Sequence, residues 1–530
     1  MALTFFGIIN KLKNKKTLSL ITIILGCLFV ICWTLFRFYT KNVNFDQTGQ
    51  QLLSRQWLDG SFGGSIMAPT NYIVKMLFMY IPADVVNIDP KAFLIISTII
   101  LNIVTFIGIY YFSKKILEYF SIPISTIFNL SMLWLSTVVG SVFWIQFANS
   151  RNIEVVAGLG IVYLGLLLNR RYSIKLAICL VVLSGVTFFA DPMQLYITAI
   201  SLLLYTFVNC IFLDKNKIRN LVTIFISILI GYLASILLTI IAKSITHVEF
   251  FSVGSLSQSL AIFSQPKIVI IETFKNFLRL IAGTNEMGNW RQVLNIGLVI
   301  LMALACSKLV IEKKLSKKFI FFIIISILTP IGVYIASGQP VFMTDTSRYL
   351  IMIMPAMIIC FSSLELCVGV LRKSILATIL VVVCVNSASL LYITVKSQRT
   401  DLVGEYALRN RYEYLMTNNY KYGYSSMDTA IPAMYLFGKH DGTLLPLSCE
   451  NNRLRKSTLF YDKSIFKSNE SIPVGKVPII LDGNAIGNYP SVCTIDAITA
   501  QIGRPLSSGK TLNGDEVLIY KSEVFKKISF

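Results

Sequence analysis

Six residues stand where long apolar stretches give way to polar sequence, and their types could carry chemistry: Asp46, Arg151, Glu154, Asp191, Asp345 and Arg348. Asp46 follows the first apolar run by a few residues. Arg151 and Glu154 lie in NSRNIE, Asp191 in FADP, and Asp345 with Arg348 in TDTSRY. A carboxylate just outside an apolar layer can deprotonate a hydroxyl nucleophile. A guanidinium offers a planar fork of donors that matches phosphate oxygens. Together they meet the needs of glycosyl transfer from a polyprenyl phosphate. The base activates the acceptor, and cations stabilise the charge that grows on the departing phosphate as the sugar becomes oxocarbenium-like. Each residue also has a plainer use. Asp46 suits a solvated loop acid or a helix cap, Arg348 a side chain snorkelling to head groups, and Asp191 a cap for the helix after it. Arg151 and Glu154, at i and i+3, fit a structural ion pair better than a ligand site. Asp59, Glu249, Glu272 and Glu286 read as solvated.

The elements that must position these residues are membrane spans. The chain has 530 residues, 55% hydrophobic and 14% charged, with a mean hydropathy of +0.68. A soluble protein carries about 25% charged residues. That comparison excludes a soluble enzyme, a nucleic-acid-binding protein and a disordered chain, in spite of a net charge of +21. A span needs about 20 apolar residues. The windows 18–39, 92–113, 124–147, 152–169, 174–190, 193–213, 220–242, 293–311, 319–337, 349–369 and 374–395 meet or approach that length, which predicts eleven spans.

Basic residues set the orientation. With the N-terminus inside, the cytoplasmic segments hold Lys11–Lys16, Lys114–Lys115, Arg170–Lys175, Lys215–Arg219, Lys308–Lys318 and Arg372–Lys373, against only Glu118, Asp214 and Glu312. Most of the net charge is therefore topology. The loops 40–91, 148–151, 191–192, 243–292 and 338–348 are nearly balanced and face outward, as does the tail 396–530. All six candidates then share the outer membrane face. The first span reads as a retained signal anchor, being too long and lacking a small-x-small cleavage site.

Two domains are expected: a membrane domain over 1–395 and a soluble domain over 396–530. The large outer loops are expected to hold interfacial helices. Residues 46–57 suit a short helix, Asn71–Ile81 is apolar but too short to span, and Ile268–Ile281 is apolar on one side with Lys275 and Arg279 on the other. In the tail, Asp401–Asn418 suits a helix. Lys476–Leu481 and Glu516–Tyr520 are short β-branched runs bounded by Gly, Pro and Asn, as strands are. A small α/β or α+β fold follows. Eight of the ten cysteines lie within or beside spans, as small hydrophobes do. Cys449 and Cys493 lie in the tail, where pairing and free thiols are both open. Two histidines are too few for a His-based zinc site,.

At these residues the chain resembles the GT-C superfamily of integral membrane glycosyltransferases, which use polyprenyl-phosphate sugars. The shared pattern is an inside N-terminus, an acid in a large first outer loop, a multi-span body and a soluble outer tail. The tail stretch YKYGYSSMDTAIPAMYLFGKHDGTLLPLSCE looks like the GY-containing tails of bacterial members. The likeness implies an all-α polytopic membrane protein with a C-terminal extracytoplasmic domain, in a bacterial cytoplasmic membrane. It carries the catalytic acid onto Asp46 and implies a polyprenyl-phosphate-linked sugar donor and an envelope glycan, lipid or protein acceptor. Within the superfamily, size and layout are nearest to enzymes that glucosylate O antigen or related envelope glycans. Many members have two adjacent acids where this sequence reads Phe45-Asp46-Gln47. Base catalysis without metal is thus at least as well supported as a divalent metal bridging an acidic pair. An envelope-polymer polymerase or ligase and a flippase or transporter are the alternatives.

Overall fold

A computed structural model describes residues 15–40, 45–58, 66–68, 79–138, 152–213, 217–246, 248–250, 265–283, 289–337, 350–397, 404–438, 442–457, 466, 475–483, 485–486 and 492–529. The described part of each apolar window is mainly helix, and residues 139–147 of the window 124–147 lie outside the described residues. In chain order the helices are α1 (Lys15–Thr40), α2 (Phe45–Leu58), α3 (Ile81–Val85), α4 (Pro90–Tyr119), α5 (Thr126–Val138), α6 (Asn152–Arg170), α7 (Ile174–Ala190) and α8 (Ile200–Val208). There follow α9 (Ile218–Thr246), α10 (Pro266–Ala282), α11 (Asn289–Ile311), α12 (Lys317–Ala336), α13 (Ile353–Ser362) and α14 (Gly369–Lys396). Among the described residues eight helices are long and apolar enough to cross a membrane, and Thr126–Val138, Ile174–Ala190 and Ile353–Leu366 are shorter apolar helices. This is a multi-pass membrane protein.

The chain divides into two compact units, one of residues 1–36, 98–237 and 254–397, the other of 37–97, 238–253 and 398–530. In the first, the outer surface is apolar. On α9 Phe225, Leu229, Leu233 and Leu237 are exposed, a stripe stable only against lipid or another apolar surface. The interior is cross-linked by polar groups, because in hydrocarbon each must find a protein partner. Helix α5 is buried from Ile127 to Val138 and packs against α13 and α14. Trp33 Nε1 donates to Thr137 O at 3.3 Å. Trp134 Nε1 and Asn386 Nδ2 both donate to Asn295 Oδ1, at 3.2 and 3.0 Å. Asn102 Nδ2 donates to Thr34 Oγ1 at 3.0 Å. Such bonds contribute about 0.6 kcal/mol each between helices in a bilayer. Glu365, in the short helical turn after α13, is paired with Arg372.

Helix α10 differs from its expected pattern. It packs against α11 and α12 and buries Val269, Thr273, Asn276 and Leu280, while Ile270, Ile271 and Phe274 are exposed with Lys275. Asn276 Nδ2 donates to Tyr334 OH at 3.0 Å. The packed face takes the small and polar side chains, so apolar residues remain on the other. Of the stretch Asn71–Ile81, residues 71–78 lie outside the described residues.

In the second unit β1 (Ile66–Ala68) and β2 (Val248–Phe250) pair in parallel, Ile66 opposite Val248, and so join the two large loops. The tail holds α15 (Glu405–Thr417), β3 (Tyr422–Ser426), α16 (Met427–Phe437), β4 (Thr443–Glu450), β5 (Arg453–Lys456) and β6 (Lys476–Ile480). It continues with β7 (Ala485–Ile486), β8 (Cys493–Thr494), α17 (Ile495–Ile502), β9 (Ser507–Lys510) and β10 (Glu516–Lys521). A six-stranded sheet runs β5-β4-β3-β6-β10-β9. Strand β3 is parallel to β4 and β6, and the other pairings are antiparallel. Cys449 and Cys493 form a disulfide across 44 residues of chain. One buried core joins Phe38, Leu52, Leu53, Tyr80 and Leu94 to Tyr424, Ile431, Tyr435, Leu445 and Ile479 of the tail.

Arg411 ties α15 to the sheet. Its Nε and Nη2 donate to Asp515 at 2.8 and 2.9 Å, its Nη1 donates to Thr429 Oγ1 at 2.8 Å, and Asp482 completes the set. Burial alone would raise the Asp515 carboxyl, but the Arg411 fork outweighs it and holds that carboxyl below the ordinary range. A depressed carboxyl contributes stability above its unfolded pKa, about 3.9 for Asp, and that stability is lost as pH falls through the folded value. Arg411→Ala should destabilise the tail by about 3–5 kcal/mol, because it strands two acids. Asp515→Asn should remove this share of the acid sensitivity below pH about 4. Thermal melts across pH 3–7 read both, and an unchanged melting point in Arg411→Ala refutes the tie.

Candidate functional site

Position 46 falls in the first turn of α2, at the head of a helix that is buried rather than solvated. Thr48, Gln51, Leu52, Leu53 and Ser54 are all buried. Helix α2 packs chiefly on α16 and also on α3. A helix this polar cannot drive itself into lipid, so the apolar pair Leu52–Leu53 uses the tail as its core. Gln51 is 1% exposed, and neither of its amide atoms has a hydrogen-bond partner among the described residues. A buried polar group without a partner costs about 1–3 kcal/mol, so its persistence calls for an explanation.

Asp191 and Glu154 belong to the membrane unit. Asp191 is 2% exposed and ends α7 in an extended conformation. Its Oδ1 accepts from Met193 N at 3.2 Å, and its carbonyl accepts from Gln194 N at 3.0 Å. The side chain thus shapes the turn into the next helix, as short acids do. Glu154 is buried in the first turn of α6. One turn further along α6 comes Gly158. A Cβ there would stand 2.6 Å from Gln194 Oε1 and 2.7 Å from Thr198 Cγ2. The missing side chain lets Gln194, one turn beyond Asp191, lie against α6. The Gln194 Oε1 atom has no hydrogen-bond partner among the described residues.

Gln194 leads into a π-helical turn, Leu195–Ala199, a widened turn found often at functional sites. Beyond the Gly158–Gln194 contact lies a cavity of about 30 Å³. Leu159, Val162, Ile197, Thr198, Ser201, Phe322, Ser326 and Met352 are among its lining residues. That is room for about two water-sized groups, in a mostly apolar wall. Thr198 and Met352 belong both to the cavity wall and to the surroundings of Gly158.

Arg151, Asp345 and Arg348 lie outside the described residues. Of the six candidates, the structure brings the helix of Glu154 together with the turn of Asp191, by way of Gly158 and Gln194. Gln194 is absent from the residues expected from sequence, although it is a polar residue at the head of an apolar window, three after Asp191. Among the described residues no group of three or more His, Cys, Asp and Glu could hold a metal ion.

No protein-family model and no curated protein matches the chain. A solved structure does. ArnT from Cupriavidus metallidurans bound to undecaprenyl phosphate superposes with a TM-score of 0.55 at 8% identity, over 95% of this chain and 98% of that one. At that identity the likeness is one of fold. The chain shares that fold, mostly helical with a C-terminal sheet domain.

Gly158→Val should cost about 1–3 kcal/mol by overpacking Gln194. Gln194→Ala in the same chain should recover part of that, since neighbours that share a contact are not additive. Melting temperatures of the four proteins of this cycle in detergent provide the check, and strict additivity would show that the two side chains do not meet.

Proposed function

We propose that the protein moves one sugar from an undecaprenyl-phosphate carrier to a hydroxyl of an O-antigen or other cell-envelope acceptor. The single observation that carries this is the fold match along 95% of the chain to a protein bound to undecaprenyl phosphate. The carbohydrate is a hexose in this reading, and the reaction occurs on the outer face of a bacterial cytoplasmic membrane. The basic bias of the opposite loops supports that orientation, and it puts the tail outside.

The Asp46 carboxylate accepts the proton of the acceptor hydroxyl. The hydroxyl oxygen bonds to the anomeric carbon, the bond from that carbon to the phosphate oxygen breaks, and undecaprenyl phosphate leaves. In-line displacement inverts the anomeric centre. Arg348, with Arg151, holds the phosphate as its charge grows. Asp345, Asp191 and Glu154 border the substrate, with Gln194 added on the geometry above. A single acid at 46 supports base catalysis without a bridging metal. No nucleic acid is a partner in this reading.

A polymerase or ligase would concentrate basic residues in one long outer loop, whereas Lys267, Lys275, Arg279 and Arg291 share theirs with three acids. A transporter would need charge deep in its spans, and Glu365 is paired with Arg372 instead.

Asp46→Asn in nanodiscs, supplied with undecaprenyl-phosphate glucose and other undecaprenyl-phosphate hexoses, should lose transfer with membrane expression intact. Near-normal transfer by that variant would sink the assignment. Arg348→Ala should raise KM for the donor more than for the acceptor by about tenfold or more, as losing one charged contact of about 1.5–3 kcal/mol implies. The reverse pattern would argue against a phosphate role.

A further inference from the structure

Helix α2 carries Asp46 at one end and Arg55 at the other, nine residues apart, or about 14 Å along the axis. The Arg55 end is fastened. Its Nε stands 3.2 Å from Asp84 Oδ1, and its Nη1 donates to the Tyr435 carbonyl at 2.7 Å. Its guanidinium carbon lies 4.7 Å over the Tyr435 ring. The same Asp84 carboxylate accepts from Ser54 Oγ. Tyr435 in turn donates through its hydroxyl to Pro90 O at 3.0 Å, and next to it Lys91 Nζ meets Glu405 Oε2 at 2.7 Å.

Three features distinguish this cluster from an ordinary surface ion pair, which contributes little. First, Tyr435 stands in the last turn of α16, where carbonyls lack intrahelical donors and the helix dipole favours a cation. Arg55 supplies both. Second, one guanidinium serves a carboxylate, a carbonyl and an aromatic face, so its orientation is fixed in three ways. Third, the groups are largely withdrawn from water, with side chains 24% and 13% exposed for Arg55 and Asp84 and Tyr435 1% exposed. Burial also keeps the Tyr435 phenol protonated, well above its ordinary range.

We propose that Arg55 is a positioning residue, through which α16 of the tail fixes the helix that presents Asp46. This rests on the reading of Asp46 as the base. Between the two ends, Thr48, Leu52 and Leu53 are buried, so α2 moves as one body and a shift at Arg55 reaches position 46. Displacing a catalytic group by about 1 Å can cost about 100-fold in rate.

The test uses the full chain in nanodiscs, with whichever undecaprenyl-phosphate hexose the unaltered protein turns over. Arg55→Ala and Asp84→Asn should each raise hydrogen exchange across residues 45–58 while leaving β6 and β10 protected. They should lower kcat by about 10–100-fold, with KM for the donor unchanged within twofold. Arg55→Lys keeps the charge but loses the fork, and should restore part of the rate. Unchanged exchange in α2, or unchanged kcat, in Arg55→Ala overturns the proposal. A fall in rate accompanied by loss of protection in β6 and β10 also overturns it, because the effect is then unfolding of the tail. Transfer by Asp46→Asn overturns the base assignment itself and is read separately, since the exchange measurement does not involve Asp46.

Discussion

A fourteen-residue helix that is too polar for lipid and too apolar for water needs a protein surface, and α2 finds one in the tail. Leu52 and Leu53 share a core with Ile431, Tyr435 and Leu445. Burying two leucines contributes about 3–6 kcal/mol before the cost of ordering. The two-stranded pairing of β1 with β2 adds the second large loop to the same body. Loop and tail are therefore one compact unit, although residues 98–397 separate them in sequence, and the residue proposed to do the chemistry sits at the head of their common helix.

Within the membrane unit a different balance holds. Apolar burial gains little between helices when the alternative is lipid, so close packing and polar pairs provide specificity. Gly158, Gly108 and Gly165 each sit under a neighbour's side chain, in these cases Gln194, Val156 and Leu202. Asn295 collects donors from Trp134 and Asn386 and gives its own to Ala282 O at 3.3 Å. Gln194 Oε1 is one of several buried polar atoms left without a partner among the described residues.

Much of this was legible in sequence, for physical reasons. A stretch of apolar residues has one stable form in lipid, so the described part of each window is mainly helix. In the tail, Lys476–Leu481 and Glu516–Tyr520 became β6 and β10, which pair antiparallel with Val477 opposite Tyr520. Helix α16 was hidden, because Pro432 stands inside it and a proline in an apolar run reads as a break. The packing of α2 on α16 was hidden too, since no local pattern reports a partner so distant. Cysteine position alone left the tail thiols open, and the fold of β4 and β8 brings Cys449 to Cys493.

The candidate acids show why type and position do not suffice. Asp191 reads as catalytic or as capping, and its Oδ1 bond to Met193 N realises the turn-forming use. The bond itself belongs to the turn that leads into the next helix. The same holds for Arg55. From sequence it is one more cation in a balanced loop, but in the fold it closes the C-terminus of a helix 380 residues away. Charge that looks incidental along the chain acquires a role only when the backbone dipole it answers is in place. In this protein that dipole belongs to the tail, so the tail's fold is a precondition for the geometry of the first outer loop.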